Sequence, residues 1–143
     1  MPGRDFKALT STLENSFTSL QDPQQVVLAI LAAIGANDFQ ALQTHFTPGT
    51  ELRIHGFPAS EGSWRVRHDV LKAIESNFGM ITEQQPRIES MVQQDNVLAI
   101  RLHETGLLKS NSRRYEANGV IWFTFEGSRV KRIEEFFHSV LEG

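Results

Sequence analysis

Cysteine is absent from the 143 residues, which excludes a disulfide framework and any thiolate-bound metal. Its absence is compatible with a reducing compartment. Also missing is any apolar stretch of the length a membrane span needs. The opening residues Met1-Pro2-Gly3-Arg4-Asp5 lack the apolar core of a signal peptide. The expectation is a soluble, cytoplasmic protein without a membrane partner. An excess of positive charge is lacking too. The formal net charge is −3, whereas nucleic-acid binding usually demands a basic face. The local basic groups at Arg65 and Arg67, at Arg113 and Arg114, and at Arg129, Lys131 and Arg132 read as solvated strand ends or helix starts. No Gly-rich phosphate loop, nucleophile elbow or helical zinc-binding His pair occurs, so neither cofactor nor metal is expected.

What is present is the balance of one ordinary globular domain, with 40% apolar and 22% charged residues. A compact chain of this length buries roughly 70% of the surface it would expose unfolded, enough for one sizeable core. Phe6, Leu9, Leu13, Phe17 and Leu20 recur at helical spacing and predict an amphipathic helix. Asp22-Pro23 reads as N-cap and first helical residue of a second helix. Its run from Val26 to Ile34 is apolar on nearly every face, so it should be buried; Gly35 ends it. Asn37 or Asp38 caps a short third helix through Phe39, Leu42 and Phe46.

At Pro48-Gly49 the helical period gives way to alternation. Leu52 and Ile54 alternate with Glu51, Arg53 and His55 as a half-buried strand. Residues 56 to 63 read as a loop, with a short strand around Trp64 to Val66. A fourth helix spans about Arg67 to Phe78 through Val70, Leu71 and Ile74. Strands are expected over 84 to 93, 96 to 108, Tyr115 to Phe125 and Val130 to Val140, joined by polar turns at Lys109 to Ser112 and Glu126 to Ser128. Helices followed by strands indicate an α+β fold with helices packed on one face of a curved antiparallel sheet.

This order resembles the nuclear transport factor 2-like superfamily, and within it the ketosteroid-isomerase-like and SnoaL-like polyketide-cyclase branches. The residues that carry the resemblance are Ala36-Asn37-Asp38-Phe39, and Phe46-Thr47-Pro48-Gly49-Thr50-Glu51-Leu52 leading into the first strand. Phe123 to Val130 and Arg132 to Phe137 are similar to that family's terminal hairpin. The likeness covers about residues 24 to 140, with 1 to 22 an added helix in a single domain over 1 to 143. It implies a cone with one pocket and a back-to-back homodimer. In the isomerase branch a carboxylate on the first strand moves the proton, while a Tyr on the buried helix and a protonated Asp on a late strand stabilise the oxyanion. Carried over, the Tyr position falls near Ile30 and the Asp near Ile121. The base falls at Ile54, or at His55 if the strand shifts by one. Isoleucine neither transfers a proton nor donates a hydrogen bond, so steroid isomerisation by that route is not expected.

The strand period places other chemistry inward. Leu98, Ile100 and Leu102 share a face whose next member is Glu104, and Ile133 and Phe137 share a face with Glu135 between them. A carboxylate on an apolar face has its charged form disfavoured, which makes a neutral-pH acid or base. The competing reading puts either glutamate at a wet rim or against an arginine such as Arg101. His55 is the third candidate, provided Gly56 marks a bulge that turns it inward. The expected lining is Ile30, Ile54, Trp64, Ile100, Leu102, Ile121, Phe123 and Phe137, with Tyr115 beside Trp64 at the mouth. Val120, Trp122 and Phe136 form an apolar outer face on which the implied homodimer is placed. Two functions stay open. One is cofactor-free proton transfer on a small apolar metabolite, of isomerase, cyclase or dehydratase type, through Glu104, Glu135 or His55. The other is a ligand-binding or dimeric interaction module without turnover.

Overall fold

The computed structural model describes residues 22–142, with side chains to Ser139. The helix expected through Phe6 and Leu20 lies outside the described residues. Helix α1 covers Pro23–Gly35 and is followed by a 3-10 turn at Phe39–His45. Strand β1 is Phe46–His55, β2 Gly62–Trp64, helix α2 Arg67–Gly79, β3 Ile81–Gln94, β4 Val97–Leu108, β5 Arg114–Glu126 and β6 Arg129–Glu142.

The two helices start differently. Asp22 Oδ1 accepts from Gln24 N at 2.8 Å, and Pro23 opens α1 where no N–H is needed. Val26, Val27, Leu28, Ile30, Leu31 and Ile34 are buried, consistent with an apolar surface nearly all round. Helix α2 lacks a side-chain cap. It follows Val66, whose φ of 64° and ψ of 144° are strained for a β-branched residue.

The six strands form one sheet in the order β2-β1-β6-β5-β4-β3. Its pairings are antiparallel except one: β1 runs parallel to β6, a departure from an all-antiparallel sheet. The departure follows from the chain path, because β1 reaches β6 only after β2, α2 and three further strands have intervened. β1 also begins earlier than alternation suggests, at Phe46 rather than beyond Pro48-Gly49. Its pairing with β6 breaks between Phe46 and Glu51, which accommodates the proline, and Thr50 Oγ1 donates to Val130 O at 2.7 Å across the gap.

The concave face of this strongly curved sheet, with α1 and α2 laid on it, forms the core. Leu98, Ile100, Phe123, Phe125, Val130 and Ile133 from the sheet meet Val27, Ile30 and Ile34 from α1, and Val70 and Ile74 from α2. No helix among the described residues is long and apolar enough to cross a membrane.

Candidate active site

The long hairpin of β4 and β5 turns about residues 109 to 113, so Glu104 stands opposite Ala117 and Gly106 opposite Tyr115. All four face the concave side. Gly106 has no side chain because a Cβ there would lie 2.6 Å from the Tyr115 ring. The phenol crosses the gap and donates to Glu104 Oε2 at 2.5 Å. Tyr115 is thus buried in the core beneath the pocket, not at the mouth where the sequence suggested it.

Gln84 supplies a second donor, Nε2 to Glu104 Oε2 at 2.9 Å. It points inward because β3 bulges: the pairing with β4 breaks between Thr82 and Gln85, and Glu83 takes φ 53°. One extra residue on one strand re-aims the next side chain. Glu104, only 6% exposed, is therefore held by Tyr115 and Gln84 and not by an arginine. Arg101 lies on the other face, 3.7 Å from Glu89. Burial pushes the Glu104 carboxyl above the ordinary carboxylate range, and the Tyr115 and Gln84 hydrogen bonds oppose that shift. Burial, then the charge and hydrogen bond of Glu104, raise Tyr115, which stays a protonated donor.

Glu135 stands on β6 between Ile54 of β1 and Ile121 of β5. The residue keeps partial exposure at the pocket while its carboxyl is densely surrounded by protein. Burial and then the nearby Glu104 charge push its pKa up to about 8, and no hydrogen bond or cation among the described residues offsets either effect. The charge of an ionised Glu104 thus adds to burial in holding the proton on Glu135.

The two carboxyls share a cavity of about 60 Å³ walled by Leu52, Ile54, Phe57, Ile74, Phe78 and Phe137. That is several times the roughly 10–15 Å³ a water needs. It is well below the roughly 300–1,000 Å³ of sites for drug-sized ligands. Asn77, Ser60 and Gln84 add polar groups, and no Lys, Arg or His among the described residues lines it.

Of the residues expected at the site, the structure brings Glu104, Glu135, Ile54 and Phe137 together around this cavity. His55 stays apart. It is exposed on the opposite face and stacks on Phe136 at 4.9 Å, because strict alternation continues to the end of β1. Gly56 makes no inward bulge. Its φ of 85° lets the chain leave the sheet where a Cβ would lie 1.7 Å from Phe137 O.

Ile30, Ile100 and Phe123 fill the core, and Trp64 and Ile121 pack against it, so none of these five lines the cavity. Leu102 is buried and likewise absent from the lining. Helix α2 walls the cavity through Ile74, Asn77 and Phe78, and no residue of α1 lines it. Sequence reasoning missed Gln84 and Phe57. Nothing in Gln84-Gln85 signals a bulge. Phe57, 6% exposed in the loop after β1, does carry a signal, as an aromatic residue amid turn residues. It packs edge-on against Tyr115 and Phe137 at 5.1 and 6.0 Å between ring centres. No group of three or more His, Asp or Glu side chains among the described residues is placed to hold a metal.

Comparison with known proteins sets this geometry in context. Residues 27–133 match the family model described as SnoaL-like domain. The fold is similar to that of a nuclear transport factor 2-like protein from Burkholderia xenovorans LB400, with a TM-score of 0.71 and 25% identity over 85% of this chain and 92% of that one. A candidate SnoaL-like polyketide cyclase from Jannaschia sp. CCS1 gives a TM-score of 0.68 at 13% identity, covering 85% and 90% of the two chains. The epoxide hydrolase/cyclase-like enzyme SalBIII, of pyran ring formation in the polyether salinomycin, gives 0.67 at 17% identity, covering 83% and 95%. No curated protein sequence matches the chain.

Proposed function

The chain belongs to the SnoaL-like domain family, and from that premise we propose that it carries out cofactor-free proton transfer on a small, largely apolar molecule, with Glu135 as the acid or base. The observation that carries this reading is Glu135 itself, a carboxyl in an apolar cavity whose pKa is raised to about 8. A group poised near neutral pH takes and returns protons with little driving-force penalty. Its place supports the same role. Glu135 stands directly beside Ile54, the position to which the isomerase-type base maps, so a carboxyl reaches the same part of the cone from the neighbouring strand. Burial first, and then the charge of Glu104, which Tyr115 and Gln84 fix in place, favours the protonated form of Glu135. The cyclase and epoxide hydrolase/cyclase names borne by structural neighbours are compatible with acid–base chemistry, and fold alone does not assign it.

A second reading is a pocket that binds without turnover. It is favoured by isoleucine at the three positions, Ile30, Ile54 and Ile121, where the isomerase branch carries its working groups. The test is recovery of small molecules that co-purify with the protein, followed by turnover assays of those molecules with wild type and Glu135→Gln. Loss of turnover by roughly 100-fold or more in the variant is expected for a missing general acid or base, with a pH–rate limb near 8 in the wild type. Undiminished turnover by the variant would refute the role of Glu135. A bound molecule returned chemically unchanged would favour the second reading.

The assembly belongs to the same proposal. Trp122 and Phe136 are 45% and 44% exposed on the outer face, beside the partly exposed Val120. Large apolar side chains on an open sheet face mark a covered surface. A second copy of the chain packed on this face is the proposed cover, and the cytoplasm the proposed location.

A further inference from the structure

Both hydrogen bonds to Glu104, from Tyr115 and from Gln84, fall on Oε2. Oε1 accepts none among the described residues, and it is not one of the unpartnered atoms sealed from solvent. Glu104 is 6% exposed and lines the cavity, so this oxygen opens there. Glu135 lines the same cavity and has neither hydrogen bond nor ion pair among the described residues. Oε1 of Glu104 and both oxygens of Glu135 therefore lack a donor. Carboxyls surrounded by protein are ordinarily paired or hydrogen-bonded, and an exception asks for an explanation.

No cation of the described residues enters the cavity, whose only ionisable lining is Glu104 and Glu135. On the outer face His103 pairs with Glu116 at 3.2 Å, and Arg101 lies 3.7 Å from Glu89. The His103 charge is the smallest of the influences on Glu104. His55 stacks on Phe136 outside, and His68 and Lys72 of α2 border a separate cleft. A metal ion would lack ligands, since no group of three or more His, Asp or Glu among the described residues could hold one. An anion would meet carboxylate charge in a poorly solvated space, which is repulsive. A neutral donor could bond to one oxygen but would leave that charge unbalanced. An ammonium group answers both needs, with several N–H donors and a positive charge. Folding has already removed the carboxyls from water, so such a ligand forfeits only its own hydration. The walls add to the attraction, because the rings of Phe57, Phe78 and Phe137 border the same space and aromatic rings attract cations.

We infer that the cavity takes a small organic cation, a protonated amine on a short apolar body, with its N–H donors directed to Glu104 Oε1 and the Glu135 carboxylate. The inference rests on the reading of this cavity as the ligand site and names the ligand's chemical class. A positive charge beside Glu135 favours its ionised form. Arrival of the amine would therefore release the Glu135 proton and leave a base next to the bound molecule.

Propylamine, 1-propanol and propionate are suitable probes, because they share a three-carbon body and differ in charge at one end. Their size suits a cavity of about 60 Å³, room for roughly four to six waters. Binding is measured at pH 8 and low salt by titration of the amide NMR shifts of Phe57, Phe78 and Phe137, which locate the site. Propylamine, protonated at that pH, is expected to bind roughly tenfold more tightly than 1-propanol, as charge-assisted hydrogen bonds allow. Propionate should bind most weakly. Propylamine affinity should rise from pH 6 towards pH 8 by up to about tenfold per pH unit, as Glu135 gives up its proton, while 1-propanol affinity stays level. Glu104→Gln should cut the preference for propylamine over 1-propanol, and Glu135→Gln should flatten its pH dependence. If neither variant folds, the wild-type order and pH slope decide. Propylamine binding that is level with pH, or a preference unchanged in Glu104→Gln, overturns the inference. Equal or tighter binding of 1-propanol or propionate at these residues sinks it and leaves the acid–base reading standing. Binding of no probe at these residues overturns both.

Discussion

At the scale of single residues, Glu135 is where burial and chemistry conflict. Folded, it keeps its proton to about pH 8; unfolded, a glutamate titrates near 4.3. Between those values the native state binds the extra proton, so its contribution to stability is complete below about pH 4 and is lost as pH rises towards 8. The slope reaches about 1.4 kcal/mol per pH unit for one proton. Glu104, also raised, adds to the same trend. Glu135→Gln should therefore show a shallower fall of urea midpoint between pH 5 and pH 8 than wild type; parallel curves would refute the assignment. That both glutamates face inward was legible from alternation alone, through Leu98, Ile100 and Leu102 on one strand and Ile133 and Phe137 on the other. Their partners were not. Tyr115 reaches Glu104 only because Gly106 lies across the ladder from it, and Gln84 only because β3 bulges.

At the scale of elements, the strain sits in connections. Val66 holds φ 64° and ψ 144°, a region essentially reserved for glycine, and its side chain is 49% exposed and contributes little packing. Val66→Gly should relieve that strain and stabilise the fold by about 1 kcal/mol, net of the greater unfolded-state entropy of glycine. A thermal midpoint higher by roughly 3 °C would register the gain, and a lower one would count against it. The helices themselves were legible, since Asp22-Pro23 and the Val26 to Ile34 run carry their own start and burial signals. The strand ends were less so. β1 begins at Phe46 because β6 offers it partners on both sides of Pro48-Gly49, which no local window reveals.

At the scale of the whole molecule, the outer sheet face is the proposed site of assembly. Trp122 and Phe136 project from neighbouring strands, where Trp122 stands across from Glu134 and Phe136 from Val120, and His55 extends the patch by stacking on Phe136. A copy of the chain packed there would bury both rings. Sedimentation should give the mass of a dimer for wild type and of a monomer for Trp122→Glu, with helix and strand content kept by circular dichroism. Two monomeric samples would leave the face without its proposed cover.

The sequence by itself determined the order of elements, the fold class and the inward direction of two carboxyls, because periods of 3.6 and 2 are local properties of the chain. Tertiary structure alone decided which inward residues border space and which fill it. Ile100 and Phe123 are as apolar and as inward as Ile54 and Phe137, yet the first two fill the core with Ile30 of α1, while the last two border the cavity. It also decided the state of the glutamates. A carboxyl's proton affinity depends on everything within a few ångströms, and Gln84, Tyr115 and Phe57 come that close only after the sheet has curved.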